Sequence, residues 1–380
     1  MGSKDSKRQS RISGLLVPAG GALAVDRDRY AALVSDRLAA RPEVTIRHEE
    51  VESIPPGDVV IATGPLTSEA MSAALQDLLG SEYLYFYDAI APIVERESLD
   101  ESKLFWQSRY GKGEGDDYLN APMTQEQYAR FYEALTTAEV LPLREFEREM
   151  FFEGCLPIEE IARRGVDTLR FGCMKPVGLT PPDGSRPHAV VQLRQENLAK
   201  SQLNMVGFQS RMKWPEQKRV FALIPGFANA DFVRMGQIHR NTFVNAPTHL
   251  DRFYRVKAEP RVRLAGQITG VEGYLESAAT GLAIAVYLAQ ERRGRAPEPF
   301  PATTALGALA RHLTESEAKH FQPANVNYGL FEDLGRKVRK RDRRRAYVER
   351  AWGDLEAWAA TSGIRLDDAK LAEAREALAA

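Results

Sequence analysis

Two cysteines are the only residues in this chain with the side chain of a strong nucleophile. Cys155 lies in FFEGCLPIEE, just ahead of a predicted helix start, with Pro157 at a position where proline is accepted. A helix N-terminus lowers a thiol's pKa and favours the nucleophilic thiolate. Glu153, Glu159 and Glu160 oppose that effect. Cys173, in RFGCMKPVG, has Arg170 and Lys175 near it and is electrostatically better placed. For both, an inert buried thiol is the competing reading.

Glycine marks a second kind of chemistry. In LAGQITGVEGYLESAATG, residues 264–281, a strand end runs into Gly266, Gly270 and Gly273 and then into a helix. Glycine lets another group approach the backbone closely, and a helix N-terminus offers free N–H groups and partial positive charge. An anion or a polar ring edge docked there and close strand–helix packing without a ligand both account for the pattern. DVVIATGP supplies a partner, a strand from Val59 to Ala62 that ends in Thr63-Gly64-Pro65. Two strand ends delivering glycine to the carboxyl edge of a sheet match the place where doubly wound sheets bind ligands. The pairing of strand-ATG with strand-AGQ is one found in two-part FAD-binding folds. GKGEGDD reads instead as a surface turn, since Asp116 and Asp117 would repel a pyrophosphate, and no GxGxxG fingerprint occurs.

Charge marks a third. Eight of the ten residues 336–345 are Lys or Arg, and SRMKW adds Arg211 and Lys213. Such a run is ordinarily a solvated helix face. Eight like charges with one Asp repel one another, however, and an anionic partner such as RNA would relieve this by counterion release. Trp214 and the aromatics of YLYFYD could stack on bases, although such residues more often belong to a core.

The elements that carry these groups alternate between strand and helix, which predicts an α/β class. EVTIRHEEVESI reads as a strand pair or one bent strand, Ser68 caps a helix, TQEQYARFYEALTTAEV is a helix, and ADFVRMGQIHRNTFVN is a strand. The middle of the chain, 81–255, is richer in aromatics, strands and turns and reads as an inserted domain. The tail from Arg336 is read as helical. With 380 residues, 44% hydrophobic and 27% charged, the chain is long enough for a sizeable core. The net charge of −1 points to no partner globally. No CxxC, HExxH or His cluster occurs, so no metal site is expected. The longest apolar run, about nine residues at 281–289, is too short to span a bilayer, so no membrane partner is expected. Gly2 and Ser6 have myristoylation spacing, a permissive pattern attributed to chance. The cytoplasm is the expected location.

The segments FFEGCLPIEEIARRGVDTLRFGCMKPVGL, AVVQLRQEN, NMVGFQSRMKWPEQKRVFALIPG, FVRMGQIHRNTFVNAP and LAGQITGVEGYLESAATGL closely resemble the TrmFO-type enzymes. These are bacterial FAD- and folate-dependent tRNA uracil-5-methyltransferases. VPAGGALAVDRDRY, VVIATGPLTS, LYFYDAIAPIV, FPATTALGAL and FQPANVNYGLF match as well, so the resemblance runs from about Val17 to the end. It implies 5-methyluridine formation in the T loop of tRNA. Methylenetetrahydrofolate is the one-carbon donor, reduced FAD the reductant, and NADPH or NADH regenerates the reduced flavin. It also implies that Cys155, in the family's FEGC motif, is the nucleophile or a proton-handling thiol, and that Cys173, where the family usually has proline, is incidental. Thr63, Gly64, Gly266, Gln267, Gly270, Val271 and Gly273 are the implied cofactor residues. RNA contacts are expected at Arg211, Lys213, Arg339, Lys340, Arg343 and Arg344.

The implied fold is a Rossmann-like FAD/NAD(P)-binding domain in two parts, 17–80 and 256–335. A mixed α/β substrate domain at 81–255 is inserted between them, a non-matching polar leader covers 1–16, and a charged helical tail covers 336–380. The family opens with a strand-GxGxxG-helix unit and a second cysteine motif, and this chain shows neither. Lack of that first βαβ unit is expected to expose neighbouring apolar strands and weaken cofactor binding. The alternatives are a flavin-free remnant that binds tRNA without catalysis and an MnmG-like tRNA-modifying flavoprotein.

Overall fold

The computed structural model describes residues 13–19, 24–80, 84–113, 115–141 and 156–379. The chain opens with β1 (Leu16–Val17), β2 (Ala24–Val25), α1 (Arg27–Ala39), β3 (Val59–Ile61), α2 (Glu69–Leu79) and β4 (Leu84–Ile90). It continues through β5 (Ile93–Glu95), β6 (Phe105–Trp106), β7 (Tyr118–Met123), α3 (Gln125–Thr136), α4 (Ile158–Arg163) and α5 (Thr168–Phe171). Next come β8 (Ala189–Gln195), β9 (Gln202–Met205), α6 (Trp214–Phe221), β10 (Phe232–Arg234), β11 (Gln237–Phe243) and α7 (Ala246–His249). The last stretch holds β12 (Arg255–Val256), β13 (Glu259–Leu264), α8 (Tyr274–Arg292), α9 (Ala305–Glu315), α10 (Arg343–Ser362) and α11 (Asp368–Ala379). Two compact units result, one of residues 1–48 with 87–239 and one of 49–86 with 240–380.

The first unit is built on an antiparallel sheet in the order β10-β5-β9-β8-β7-β6. In β7 and β8 the register sets Leu119 opposite Leu193, Ala121 opposite Val191 and Met123 opposite Ala189. Their side chains therefore line one face, as the period of two requires. That face is covered by α3, whose Tyr128, Phe131 and Leu135 recur at helical spacing and are fully buried. A capping box fixes the start of α3: the Thr124 hydroxyl accepts from Gln127 N at 3.2 Å, and the Gln127 side chain accepts from Thr124 N at 2.8 Å. Burying each of these large apolar side chains stabilises the unit by roughly 1.5–3 kcal/mol. The sheet is antiparallel: β8 and β9 follow one another directly, while α3, α4 and α5 lie between β7 and β8 in the chain. In the same unit α1 buries none of its residues, and its Tyr30, Val34 and Leu38 are exposed.

The second unit holds the strand order β12-β13-β3. β3 and β13 run parallel, with Val262 beside Val59 and Leu264 beside Ile61. Ile61, Leu75, Val262, Leu264, Ile284 and Leu313 contribute to its buried core. Glu291 near the end of α8 pairs with Arg263 of β13 at 2.6 Å and also with Arg255 of β12. Arg263 is almost wholly buried, so Glu291 neutralises a charge that water cannot reach. Further along, Trp358 of α10 stacks on Phe300 at 4.3 Å, and Gln290 of α8 donates to Ser362 O at 3.1 Å. Among the described residues, no helix is long and apolar enough to cross a membrane.

Candidate functional site

The two glycine-bearing strand ends meet. Because β3 and β13 are parallel neighbours in register, Thr63-Gly64 and Gly266–Gly273 leave the same carboxyl edge side by side. Ala265 N donates to Ile61 O at 2.9 Å and extends the ladder to the edge itself. Behind it, Gly266–Thr269 forms a 3-10 turn and Gly273 opens α8. Gly64 has φ of +72°, and a Cβ there would point into open space. Its left-handed backbone thus presents an unobstructed face. The Thr63 and Thr67 hydroxyls share a 2.7 Å hydrogen bond, and Thr67 also donates to Gly64 O, which sets this corner.

The three glycines of the second segment divide their roles. Gly266, φ +74°, donates its N–H to Thr280 Oγ1 at 2.7 Å, and only the Ser277 side chain, at 3.6 Å or more, would touch a Cβ there. Gly270, φ +92°, is bare because a Cβ would stand 2.6 Å from the Phe321 ring. At Gly273 a Cβ would meet the ends of the Glu276 and Asn325 side chains, which can swing aside. At Gly270 close packing and the left-handed backbone account for the residue type. Val271 is buried and bridges to Ala324, so its side chain faces the core. Gln267 donates to Glu272 O at 3.1 Å. No side chain caps α8, and Tyr274 and Leu275 of its first turn are 86% and 78% exposed. Uncapped helix N–H groups beside exposed apolar side chains and the open corner at Gly64 fit a ligand with a planar ring and polar edges. These residues therefore suit the flavin portion of FAD. A GxGxxG cradle for its pyrophosphate is not found among the described residues.

The cysteine region is more partial. Cys155 and Glu153 lie outside the described residues. Ile158 N, at the start of α4, donates to Gln209 O at 2.7 Å. Glu159 is fully buried and accepts from Arg211 N at 2.8 Å and from Ser210 Oγ at 3.1 Å. Burial pushes its carboxyl above the usual range, against those hydrogen bonds. Glu160 is held below its usual range: burial would raise it, but the Arg211 guanidinium, donating through Nε at 3.0 Å, outweighs this. Arg211 also donates to Leu141 O at 2.9 Å, so its guanidinium is already engaged within the fold. Lys213 pairs with Glu139 while staying partly exposed. Burial pushes the Cys173 thiol up to about 11, which suppresses the thiolate that Arg170 and Lys175 were expected to favour.

The basic run sits at the mouth of α10. The helix begins at Arg343, so residues 336–342, read from sequence as helical, precede it as irregular chain that ends in a turn at 340–342. Arg341 pairs with Asp342 and Arg345 with Glu349. Among the described residues, no carboxylate within 4 Å pairs with Arg336, Lys337, Arg339, Lys340, Arg343 or Arg344. Arg336, Lys337 and Arg343 border an open cleft of about 660 Å³ floored by Tyr347. Arg350 anchors the region by donating to Asp333 O at 2.6 Å.

Sequence reasoning missed the brace behind α8. Asn325 donates to Glu272 at 2.8 Å and Val326 N donates to Glu276 at 3.2 Å, which ties the FQPANVNYGLF segment to the Gly270–Glu276 turn. Both motifs were visible in the sequence, but nothing in either signalled that they touch. A mostly apolar cavity of about 470 Å³, lined by Leu306, Tyr328, Phe331, Trp352 and Leu355 among others, lies between α9 and α10. No group of His, Cys, Asp and Glu among the described residues could hold a metal ion.

The chain is similar to known proteins in sequence and in fold. A family model described as glucose inhibited division protein A matches residues 9–296. A methylenetetrahydrofolate–tRNA-(uracil-5-)-methyltransferase TrmFO of Geobacter sulfurreducens is 55% identical over 347 residues, covering 91% of this chain and 80% of the relative. The enzyme of the same name from Heliobacterium modesticaldum is 56% identical over 351 residues, covering 92% and 80%. That of Bacillus licheniformis is 54% identical over 337 residues, covering 88% and 77%. Among solved structures, the GidA of Aquifex aeolicus in its form II crystal aligns with a TM-score of 0.62 at 16% identity. That match covers 93% of this chain and 61% of the GidA chain, and it is a likeness of fold.

Proposed function

Since the chain belongs to the glucose inhibited division protein A family and, within it, to the TrmFO methyltransferases, we propose that it makes 5-methyluridine in the T loop of tRNA with methylenetetrahydrofolate as one-carbon donor and reduced FAD as reductant. The observation that carries this reading is the dense identity to TrmFO relatives over nine tenths of the chain.

Bound FAD supplies the reducing equivalents, and NADPH or NADH restores them. The chain's own residues supply position and polarity. Thr63, Gly64 and Gly266 shape the sheet edge that receives the ring, and the uncapped α8 N-terminus turns N–H groups toward it. Gln267, Gly270, Val271 and Gly273 support that edge through the turn and its packing. Domain roles follow: 49–80 with 256–335 for the cofactor, 81–255 for substrate together with 17–48, which belong to the same compact unit as 87–239, and 336–380 as a basic tail.

Cys155 is the thiol of the reaction. Its sulfur bonds to uracil C6, which makes C5 an enolate carbon able to attack the donor methylene. Loss of the C5 proton with cleavage of the methylene–nitrogen bond releases tetrahydrofolate and leaves an exocyclic methylene at C5. Two-electron reduction of that carbon to a methyl group then accompanies departure of the Cys155 thiolate from C6, which restores the ring double bond. Arg339, Lys340, Arg343 and Arg344 neutralise RNA phosphates. Arg211 and Lys213 join them only by giving up Glu160 and Glu139. The setting for this chemistry is the cytoplasm.

The test is to purify the chain, record its visible spectrum with and without added FAD, and assay methyl transfer to an unmodified tRNA transcript. A flavin band near stoichiometric occupancy and methylenetetrahydrofolate-dependent transfer are expected. A protein that stays colourless after FAD is added and transfers no methyl group would refute the reading.

A further inference from the structure

In the first unit, Tyr110 occupies a conformation that tyrosine rarely adopts. Its φ is +58° and ψ +25°, the left-handed region, where a Cβ-bearing side chain is strained. The residue is 61% exposed. It rests on Gly178, whose own φ is +85° and where a Cβ would stand 2.6 Å from ring atom Cε1. Tyr110 N donates to Gly178 O at 3.1 Å, so backbone and ring are fixed against the same residue.

The loop beneath is built rigidly for an exposed turn. Ser108, fully buried, donates its N–H to Gly115 O at 2.6 Å and accepts from Asp117 N at 3.0 Å through its hydroxyl. Arg109 donates to Gln192 Oε1 at 2.9 Å, and Gln192 donates in turn to Asn120 Oδ1 at 3.0 Å. Asn120 is fully buried and donates to Phe105 O, Gln107 O and Tyr118 O. A chain of polar groups, running from half-buried Arg109 and Gln192 to buried Asn120, thus holds a strained, solvent-facing aromatic ring in one place. Strain that surrounding structure overdetermines at an exposed position points to use rather than to packing.

We propose that Tyr110 is a pre-formed stacking platform for an unpaired base of the RNA substrate. The inference rests on the reading that the protein acts on tRNA, and names a contact within it. One ring face is backed by Gly178, which leaves the remainder of the ring free to meet a planar heterocycle. An open surface suits a base belonging to a polymer held elsewhere by its phosphates, whereas a small free ligand needs a concave site that envelops it. Lys112, exposed two residues further along, favours a polyanion, while Asp116 on the same loop disfavours a phosphate at the loop itself. The contact is therefore ring on ring.

The test compares binding of an unmodified tRNA transcript, and separately of tetrahydrofolate, by wild type, Tyr110→Phe, Tyr110→Gly and Tyr110→Asn. Gly and Asn both tolerate the left-handed backbone, so thermal midpoints should be unchanged or higher. Loss of the ring should weaken tRNA binding about tenfold or more with an unchanged salt slope, and Tyr110→Phe should stay within about twofold. Equal tRNA affinity in the Gly and Asn variants overturns the proposal. So does a loss confined to tetrahydrofolate, which would assign the ring to the folate, and so does an equal loss in Tyr110→Phe, which would assign the effect to the hydroxyl. A wild-type protein with no affinity for tRNA would defeat the functional reading itself, and this inference with it.

Discussion

At the scale of single residues, burial marks Cys173 as the quiet thiol. Cys173 is packed against Gly207 and burial holds its thiol protonated, whereas Cys155 sits in the FEGC segment just before α4. Cys155→Ser is expected to abolish methyl transfer, and Cys173→Ser to leave it within about threefold, both measured as methyl incorporation into a tRNA transcript at equal flavin content. Arg211 gives a pH signature. Glu160 is depressed in the folded state, so its pairing stabilises the fold above the unfolded carboxylate value and is lost as the pH falls through the folded value. Arg211→Gln should therefore lower stability by about 1–2 kcal/mol at pH 7, after screening by solvent, and the difference from wild type should shrink as the pH falls through the carboxylate range. Denaturant titrations across that range would show it; a gap independent of pH would mean that Arg211 acts through Leu141 O instead.

At the scale of elements, the glycines of the sheet edge make separate predictions. Gly270→Ala forces a Cβ into the Phe321 ring and should lower the thermal midpoint by several degrees. Gly64→Ala meets no neighbour, so its strain should be about 1 kcal/mol, yet it should lower FAD occupancy because the added methyl stands on the ligand face. Equal FAD affinity in Gly64→Ala and wild type would remove Gly64 from the site. This edge was legible in the sequence because each strand declared its own end, Val59–Ala62 by apolar composition and Leu264 by the glycines that follow. EVTIRHEEVESI was not legible. Its alternation suggested strands, but Val44, Ile46 and Val51 are exposed and 43–54 forms no strand, since a period of two makes a strand only where a partner exists. ADFVRMGQIHRNTFVN, read as one strand, is β10 and β11 broken near Gly236, where a Cβ would stand 3.0 Å from Gln217 Oε1. The helix expected from Arg336 starts seven residues later, at Arg343, after a stretch of like charges. Tyr110 and Glu159 were missed for a common reason: left-handed backbone at one and burial at the other depend on partners, Gly178 and Ser210, that lie far along the chain.

At the scale of the whole molecule, charge is segregated rather than absent. A net charge of −1 conceals a cluster of cations at the start of α10, where the helix dipole is also positive and no acidic residue occupies the first turn. Replacing Arg343, Arg344 and Arg345 together by Gln should weaken tRNA binding and reduce the slope of log affinity against log salt by about 2–3. An unchanged slope would place the phosphate contacts elsewhere.

The parallel register of β3 and β13 carries a consequence for biogenesis. Val59 leaves the ribosome long before Val262, its neighbour in the sheet. At about 5–20 residues per second, β3 waits on the order of tens of seconds for its partner. All strands of the six-stranded sheet emerge within that interval and can pair during translation. The nascent chain therefore matures from the middle outward, and the sheet edge proposed to hold the cofactor is among the last features to exist.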